Sequence, residues 1–134
     1  MRTKTTITAA DAALILTACK AEAAKNNWLV SIAVVDDAGY LIHLERVDGA
    51  GMPSAEIATL KARTAAIAKA PTKALEDVVA ERPAVGLMPG RLPVQGGVPI
   101  IHNGECVGGI GVSGVKSHED EIVAIAGRDA LLGV

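Results

Sequence analysis

Aromatic side chains are almost absent from this 134-residue sequence, which has one Trp, one Tyr and no Phe. Proteins that bind single-stranded nucleic acids commonly stack bases on aromatic rings, so this scarcity argues against that class of protein. The formal net charge is −2 and no run of basic residues occurs, so the positive surface that DNA and RNA require is also missing. We therefore expect no nucleic-acid partner and a core built from Ala, Val, Ile and Leu.

Cysteines and long apolar runs are also scarce. Cys19 and Cys106 are the only cysteines and no C-x-x-C spacing occurs, so no disulfide framework is indicated. The apolar run that ends near Cys19 begins only after Asp11, which makes it short for an export signal. No stretch approaches the ~20 apolar residues of a membrane span. These absences favour a cytoplasmic protein in a reducing compartment, without a membrane partner.

The composition that is present, half hydrophobic and 21% charged, is typical of a globular chain, and the length predicts a single domain over residues 1–134. Thr8, followed three residues later by Asp11, is a helix-capping pair. Asn103-Gly104 between two β-branched runs is a strong signal for a hairpin turn. Periodicity and turn signals predict helices over 8–26, 54–69, 72–80 and from 117 onward, with strands over 28–35, 40–47, 98–102 and 105–112.

The predicted order is therefore α-β-β-α-α-β-β-α, with Ser54 and Ser117 as N-caps. Hairpin strands with helices at both ends and in the middle define an α/β protein of the α+β type, whose antiparallel sheet of two hairpins is flanked by helices. Residues 82–97 are rich in Pro and Gly and predict a long irregular loop. We expect this loop and the second hairpin to form one wall of a pocket.

Glycines are concentrated at the end of the second hairpin. Residues Gly109 to Gly114 match the pattern G-x-G-x-x-G of dinucleotide-binding proteins. Such a site also needs a second parallel strand after the following helix, and the chain offers none. Two interpretations of these glycines stay open: close approach of a helix to the strand, or close approach of a ligand. Ser113 could likewise present backbone N–H groups to an anion, although the acids in the next turn oppose this.

Arg46 is a candidate binding residue at the end of the first hairpin. Strict alternation would place it on one strand face with Tyr40, Ile42 and Leu44, so we expect it to turn toward the interior. A buried arginine needs a partner, and either Asp36 or Asp48 could supply it. A structural ion pair and a carboxylate-binding site at a pocket mouth are both open.

Lys61 and Thr64 lie about one turn apart on the second helix, so either could reach a pocket over the sheet, although a solvated lysine is the alternative. The histidines at 43, 102 and 118 have no ligand spacing among themselves, which predicts no pre-formed metal site.

Five short segments occur in an order that resembles the GlcG/HbpS-like family, over nearly the whole chain. The last helix adds to the likeness because it begins with the acids Glu119 and Asp120. The segments are Val34-Val35-Asp36 with Gly39, Arg46-Val47-Asp48-Gly49-Ala50, Lys61-Ala62-Arg63-Thr64-Ala65, Gly96-Gly97-Val98-Pro99-Ile100 and Gly108-Gly109-Ile110-Gly111-Val112-Ser113-Gly114.

The resemblance implies a profilin-like sandwich that assembles into homo-oligomers. Some members of the family bind haem, and many are encoded near operons for small organic acids, diols or aromatic breakdown. In one respect this sequence departs from the family: haem-binding relatives of the PduO branch use a histidine on the first helix, and this helix has none. Cys19 is the only conventional axial-ligand candidate on that helix, while His102 and His118 lie elsewhere.

Two functions remain open from the sequence. The first is a small-molecule-binding protein of small organic acid or aromatic catabolism, which requires no cofactor and has haem or another planar ligand as a candidate. Its predicted ligand-binding residues are Asp36, Arg46, Asp48, Lys61, Thr64, Gly96, Gly97 and Ser113. The alternative is a small cofactor-independent enzyme of isomerase, lyase or hydrolase type that acts on a short carboxylated intermediate.

In the enzyme, Arg46 or Lys61 would hold the substrate carboxylate. His118, Glu119 or Asp120 would carry protons, since an acid that is desolvated in a pocket is suited to general acid/base catalysis.

Overall fold

Four α-helices and four strands follow one another in the predicted order in the computed structural model, which describes all 134 residues. The α+β class and the order of elements are therefore confirmed. The elements are α1 (Ala9–Lys25), β1 (Ser31–Asp36), β2 (Leu41–Arg46), α2 (Ser54–Ala68), α3 (Thr72–Glu81), a 3-10 helix (Pro83–Leu87), β3 (Gly97–His102), β4 (Glu105–Ser113) and α4 (Ser117–Leu132).

The strands form one antiparallel sheet in the order β2-β1-β4-β3. Each hairpin pairs its own two strands, and the hairpins join through β1 and β4, where Ser31 lies opposite Ser113. β2 and β3 are therefore the edges of the sheet. None of the helices combines the length and the apolar composition needed to cross a bilayer.

Local sequence signals explain two of the element boundaries. The Thr8 hydroxyl accepts from the Asp11 N–H at 3.1 Å, and the Asp11 carboxylate accepts from the Thr8 N–H at 2.8 Å, so the predicted capping pair starts α1. Asn103 and Gly104 have φ values of 49° and 79°. Both values lie in the left-handed region that a two-residue hairpin turn of this kind requires, which is why Asn-Gly occurs there.

The sheet carries helices on both faces. On one face α1 and α4 cover the larger core, whose buried members include Ile15, Ile32 and Ile110. On the other face α2 packs against β1 and β4 through a small set of buried residues, Ala33, Val35, Ala58, Ala62 and Ala66. Because these side chains are small, α2 lies close to the sheet.

The glycines of β4 allow that close approach. A Cβ atom at Gly109 would overlap the carbonyl oxygen of Ala62, and one at Gly111 would overlap backbone atoms of Ala58 and Ala62. Of the two interpretations left open by the sequence, the structure thus shows a helix crossing the strand at these positions. No cavity is lined by either glycine.

The predicted alternation of β2 is wrong because the strand contains a β-bulge. The register shifts between Val34 and Val35, and Ile42 packs against the core beneath α1 and α4. Leu44 instead lies opposite Ala33, on the face that α2 covers in part. An extra residue in one strand moves its neighbours to the opposite face. Ile42 therefore does not share a face with Leu44 and Arg46.

The predicted N-caps at Ser54 and Ser117 are also wrong, because each is the first residue of its helix and neither caps it. The Ser54 hydroxyl instead donates to the carbonyl of Gly51 and lies 2.8 Å from the hydroxyl of Ser31. At the start of α4, the Glu119 carboxylate accepts from the Lys116 N–H at 3.2 Å. The segment 82–97 is irregular as predicted, apart from the 3-10 helix at its start.

Candidate functional site

Lys61 and Asp120 meet at one end of the sheet. Lys61 projects from α2 and Asp120 from the first turn of α4, on opposite faces, and the Lys61 Nζ lies 3.1 Å from the Asp120 Oδ2. The same Nζ donates to the Val112 carbonyl at 3.1 Å, and the Val115 N–H donates to the Asp120 Oδ1 at 3.2 Å. Lys61 and Asp120 are each only 2% exposed. The ion pair therefore ties the two helical layers together around the end of the sheet.

Burial raises the pKa of Asp120 above its ordinary value, while the charge of Lys61 and the Val115 N–H act in the opposite direction. A carboxyl group with a raised pKa is suited to general acid/base catalysis. However, neither Lys61 nor Asp120 lines any of the five cavities in the structure. In the isolated chain this pair is thus a structural cross-link that a ligand does not reach.

Several other residues that were predicted from the sequence to bind a ligand lie around this pair. Gly96 has a φ of 130°, and a Cβ atom there would lie 2.6 Å from the Lys61 Nζ, so the glycine makes room for the ammonium. Gly97 packs against the carbonyl of Lys61. Thr64 accepts from the Leu92 N–H at 2.8 Å and holds the irregular segment against α2. Gly96, Gly97 and Thr64 are therefore closely packed around α2, and none of them lines a cavity.

Ser113, His118 and Glu119 lie near the start of α4 and form no cavity either. Ser113 is buried at the end of β4, whereas His118 is exposed. Glu119 is half-buried and its carboxylate caps the helix. Among the three predicted proton carriers, only Asp120 is buried.

Arg46 lies elsewhere, and the expectation that it turns inward is wrong. It is exposed at the end of β2, where its guanidinium donates to the Met52 carbonyl at 3.3 Å. Asp48 is exposed, and Asp36 accepts the N–H groups of Ala38 and Tyr40 within its own turn, both at 2.9 Å. The physical reason is that α2 packs over β1 and β4, which leaves this end of β2 uncovered.

A cavity of about 220 Å³ lies between the N-terminal segment, the β3–β4 hairpin and the end of α4. His102 lies at the end of β3, on the rim of the hairpin. The carboxylate of Asp11, which also lines this cavity, is already engaged in capping α1. The lining residues are Thr5, Thr6, Ile7, Asp11, His102, Val107, Leu131 and Leu132. We call this the His102 cavity.

Sequence reasoning missed the His102 cavity. Nothing in the chain indicates that residues 5–7 pack beside a hairpin that lies about a hundred positions later. The one available signal was a histidine next to the Asn-Gly turn, which fixes its place at the hairpin tip.

A second cavity, of about 540 Å³, lies on the opposite face of the same hairpin. Its lining is strongly charged, and the Lys4 Nζ lies 2.7 Å from the Asp37 Oδ2 within it. This hydrogen bond lowers the pKa of Asp37 below its ordinary value. The half-buried Cys106 thiol also lines the cavity and lies 3.4 Å from the carbonyl oxygens of Ala66 and Gly108. Such a lining favours a polar ligand over an apolar one.

Cys19 does not fit the role of a haem ligand. It is fully buried between α1 and α4, beside Gly127, and burial raises the pKa of its thiol to about 12. The thiolate is the form that binds a metal, and this environment disfavours it. His102 is the one histidine that lines a cavity. No three His, Cys, Asp or Glu side chains lie close enough together to hold a metal ion.

The model of a family described as "Haem degrading protein HbpS-like" matches residues 7–129. The chain therefore belongs to the HbpS-like family. It is similar to the protein GlcG of Escherichia coli strain K12, with 42% identity over 114 residues that cover 84% of this chain and 85% of GlcG. The resemblance stated from the sequence is thus confirmed.

Solved structures of relatives agree with the fold. A double mutant of HbpS from Streptomyces reticuli superposes with a TM-score of 0.93 at 38% identity, covering 98% of this chain and 90% of that chain. The crystal structure of a PduOC:heme complex superposes with a TM-score of 0.86 at 26% identity, covering 94% of this chain and 95% of that chain.

Proposed function

We propose that this protein binds haem, or another planar ligand with an apolar body, at the His102 cavity. One observation carries the proposal: in a chain of the HbpS-like family, His102 is the histidine that lines a cavity, and half of that cavity's lining is hydrophobic. The heme complex of a structural neighbour supports the choice of ligand.

The residues of the cavity fit parts of a haem. The His102 imidazole would be the side chain that holds the iron. Ile7, Val107, Leu131 and Leu132 would contact the macrocycle, and the hydroxyl groups of Thr5 and Thr6 would hydrogen-bond to propionates. When bound, haem would supply a redox-active iron centre.

The size of the cavity limits what the chain alone can hold. At about 220 Å³ it is smaller than the ~300–1,000 Å³ of pockets that enclose drug-sized ligands. A haem would therefore be covered only in part by one subunit, and the homo-oligomer that we predict would cover the remainder.

A hemin titration tests this function. We expect a Soret band that saturates at one hemin per chain in the wild type and weakens in His102→Ala. His118→Ala and His43→Ala are matched controls, because neither histidine lines a cavity. A flat wild-type titration would remove haem as the ligand, and a wild-type curve from His102→Ala would place the ligand elsewhere.

The raised pKa of Asp120 beside Lys61 favours a second candidate, general acid/base catalysis on a short carboxylated metabolite. Substrate would have to displace the segment around Gly96 to reach the pair. Turnover of such a metabolite that is lost in Asp120→Asn, with the variant still folded, would support it. Turnover that survives this substitution would exclude Asp120 as the proton carrier. The single-domain organisation, the cytoplasmic location and the link to small organic acid or aromatic catabolism stay predictions.

A further inference from the structure

The segment that precedes α1, residues 2–6, lies between the two cavities beside the β3–β4 hairpin. Thr5 lines both of these cavities. Thr6 lines the His102 cavity, whereas Lys4 lines the second cavity, which we call the charged cavity. Residues 2–6 are therefore a wall that the two cavities share, and we call them the strap.

The strap lies where β4 has no neighbour on the side of β1. β1 pairs with β4 only as far as Asp36, which lies opposite Gly108, so the first three residues of β4 extend beyond β1. In this stretch Cys106 lines the charged cavity and Val107 lines the His102 cavity. Displacement of the strap therefore joins the two cavities around the start of β4.

Few interactions hold the strap in place. Its residues are all exposed, and none of them takes part in a backbone hydrogen bond. The one side-chain hydrogen bond of the strap runs from the Lys4 Nζ to the Asp37 Oδ2, at 2.7 Å. An exposed ion pair of this kind is weak and is screened by salt. A segment with so few hydrogen bonds and buried contacts opens locally more easily than the rest of the fold.

The C-terminal end of the strap is anchored. Ile7 belongs to the larger core and is only 8% exposed. The next residue, Thr8, caps α1 through its hydroxyl and its N–H. Opening therefore requires a rotation of residues 2–6 about Ile7 and the loss of one ion pair, while the sheet and the helices keep their positions.

We propose that the strap is a gate on the His102 cavity, and that the Lys4–Asp37 ion pair is its latch. When the latch opens, the His102 cavity and the charged cavity become one space, so a planar ligand too large for about 220 Å³ reaches the imidazole. The strap then closes over the ligand, and a carboxylate of the ligand replaces Asp37 as the partner of Lys4. The gate rests on the function proposed for the His102 cavity, and it narrows the ligand to planar molecules that carry a carboxylate.

Lys4 is suited to this exchange of partners. Its side chain is 53% exposed while it is paired with Asp37, so a second carboxylate can approach the ammonium. The side chain of Asp37 is itself 24% exposed, so its release leaves no fully buried charge without a partner. Thr5 and Thr6, which follow Lys4 on the strap, line the His102 cavity beside the same ligand groups.

Opening of the strap is measured without a ligand, through the Cys106 thiol in the charged cavity. The reagent is N-ethylmaleimide, which is neutral, so removal of a charge does not alter its attraction to the protein. We expect Asp37→Asn to react about two- to fivefold faster than the wild type, the factor that an exposed ion pair supplies. Cys19 is fully buried and does not contribute.

Lys20→Gln is the matched control for this measurement. It breaks the Lys20–Glu45 ion pair, which has the same 2.7 Å length and lies away from the strap, so it should react at the wild-type rate. Salt gives a second measurement, because added NaCl screens the latch and should bring the wild-type rate toward that of Asp37→Asn. Equal rates in Asp37→Asn and the wild type, or a wild-type rate that does not rise with salt, overturn the gate.

Hemin and hemin dimethyl ester, which lacks free carboxylates, test the exchange at Lys4. The comparison is made in Asp37→Asn, where the latch is already broken and Lys4 has only the ligand to bind. We expect the addition of Lys4→Gln to weaken the binding of hemin, read from the Soret band, by about two- to fivefold, without the same loss for the ester. Equal effects on the two ligands overturn the exchange. A wild type that binds neither removes the proposed function and the exchange, whereas the labelling rates decide separately whether the strap opens.

Discussion

The ammonium of Lys61 and the carboxylate of Asp120 lie 3.1 Å apart inside the protein, although 59 positions separate them in the chain. Each belongs to a helix on a different face of the sheet, and the Val112 carbonyl near the end of β4 accepts a second hydrogen bond from the Lys61 ammonium. Burying two charges is costly, so each depends on the other. The pair therefore stabilises the fold only while both members are present. Removing one member leaves the other as a buried charge without a counter-charge, which is unfavourable for folding.

Replacing Lys61 with Met tests this dependence. The variant leaves the Asp120 carboxylate buried with only the Val115 N–H against it, and removing one partner of such a pair costs about 3–5 kcal/mol. We expect the free energy of unfolding, measured by urea denaturation at pH 7, to fall by that amount.

The loss in Lys61→Met should depend on pH. Burial raises the pKa of Asp120 above 3.8, and without Lys61 this pKa rises further. A raised pKa in the folded state gives stability that is present below the unfolded value and is lost as the pH rises through the folded value. The deficit should therefore shrink in acid. Adding Asp120→Asn should restore stability at pH 7, because an amide needs no counter-charge, and an equal deficit in the double variant would contradict this account.

The sequence identified Lys61 and Asp120 as separate site residues, but their pairing could not be predicted. Hydrophobic periodicity and turn chemistry are local, and they defined the order of elements and the Asn103-Gly104 hairpin. The crossing of α2 and α4 around the sheet end is a tertiary property. The same limit explains why the exposure of Arg46 was not predicted, because it depends on a bulge at Ile42 and on the position of α2. It also explains the His102 cavity, which distant segments form together.

Gly111 is expected to tolerate no side chain. In Gly111→Ala the new methyl group would overlap the backbone of α2 at Ala58 and Ala62, and backbone atoms yield less easily than a flexible side chain. Overpacking of this kind costs about 1–3 kcal/mol or more. We expect a loss of at least that size in the free energy of unfolding measured in urea.

Gly51→Ala is the matched control, because its nearest neighbour would be the Pro53 Cδ at 4.0 Å. Its effect should stay within roughly 0.5 kcal/mol, as for most surface substitutions. Equal stability of the two variants would show that α2 does not lie against β4 as described.

Thr72 closes the β3 edge through its hydroxyl, so Thr72→Val should leave the buried Gly97 N–H without a partner. An unsatisfied buried donor costs about 1–3 kcal/mol, and we expect that loss in the free energy of unfolding. Thr17→Val is the control, since the exposed Thr17 hydroxyl only donates to the Ala13 carbonyl at 3.0 Å within its own helix. If both variants unfold at the same urea concentration, the hydroxyl of Thr72 does not satisfy this edge.

The two thiols should differ in their reaction with a thiol reagent such as dithionitrobenzoate. Cys19 is fully buried with a pKa raised to about 12, so almost none of it is thiolate at pH 8, whereas Cys106 is half-buried beside the charged cavity. Because only the thiolate attacks the reagent, we expect one reactive thiol per native chain and two in urea. The native Cys106→Ser variant should then show no reaction with the reagent. Rapid labelling of that variant would mean that Cys19 is accessible, and would return it to consideration as a haem ligand.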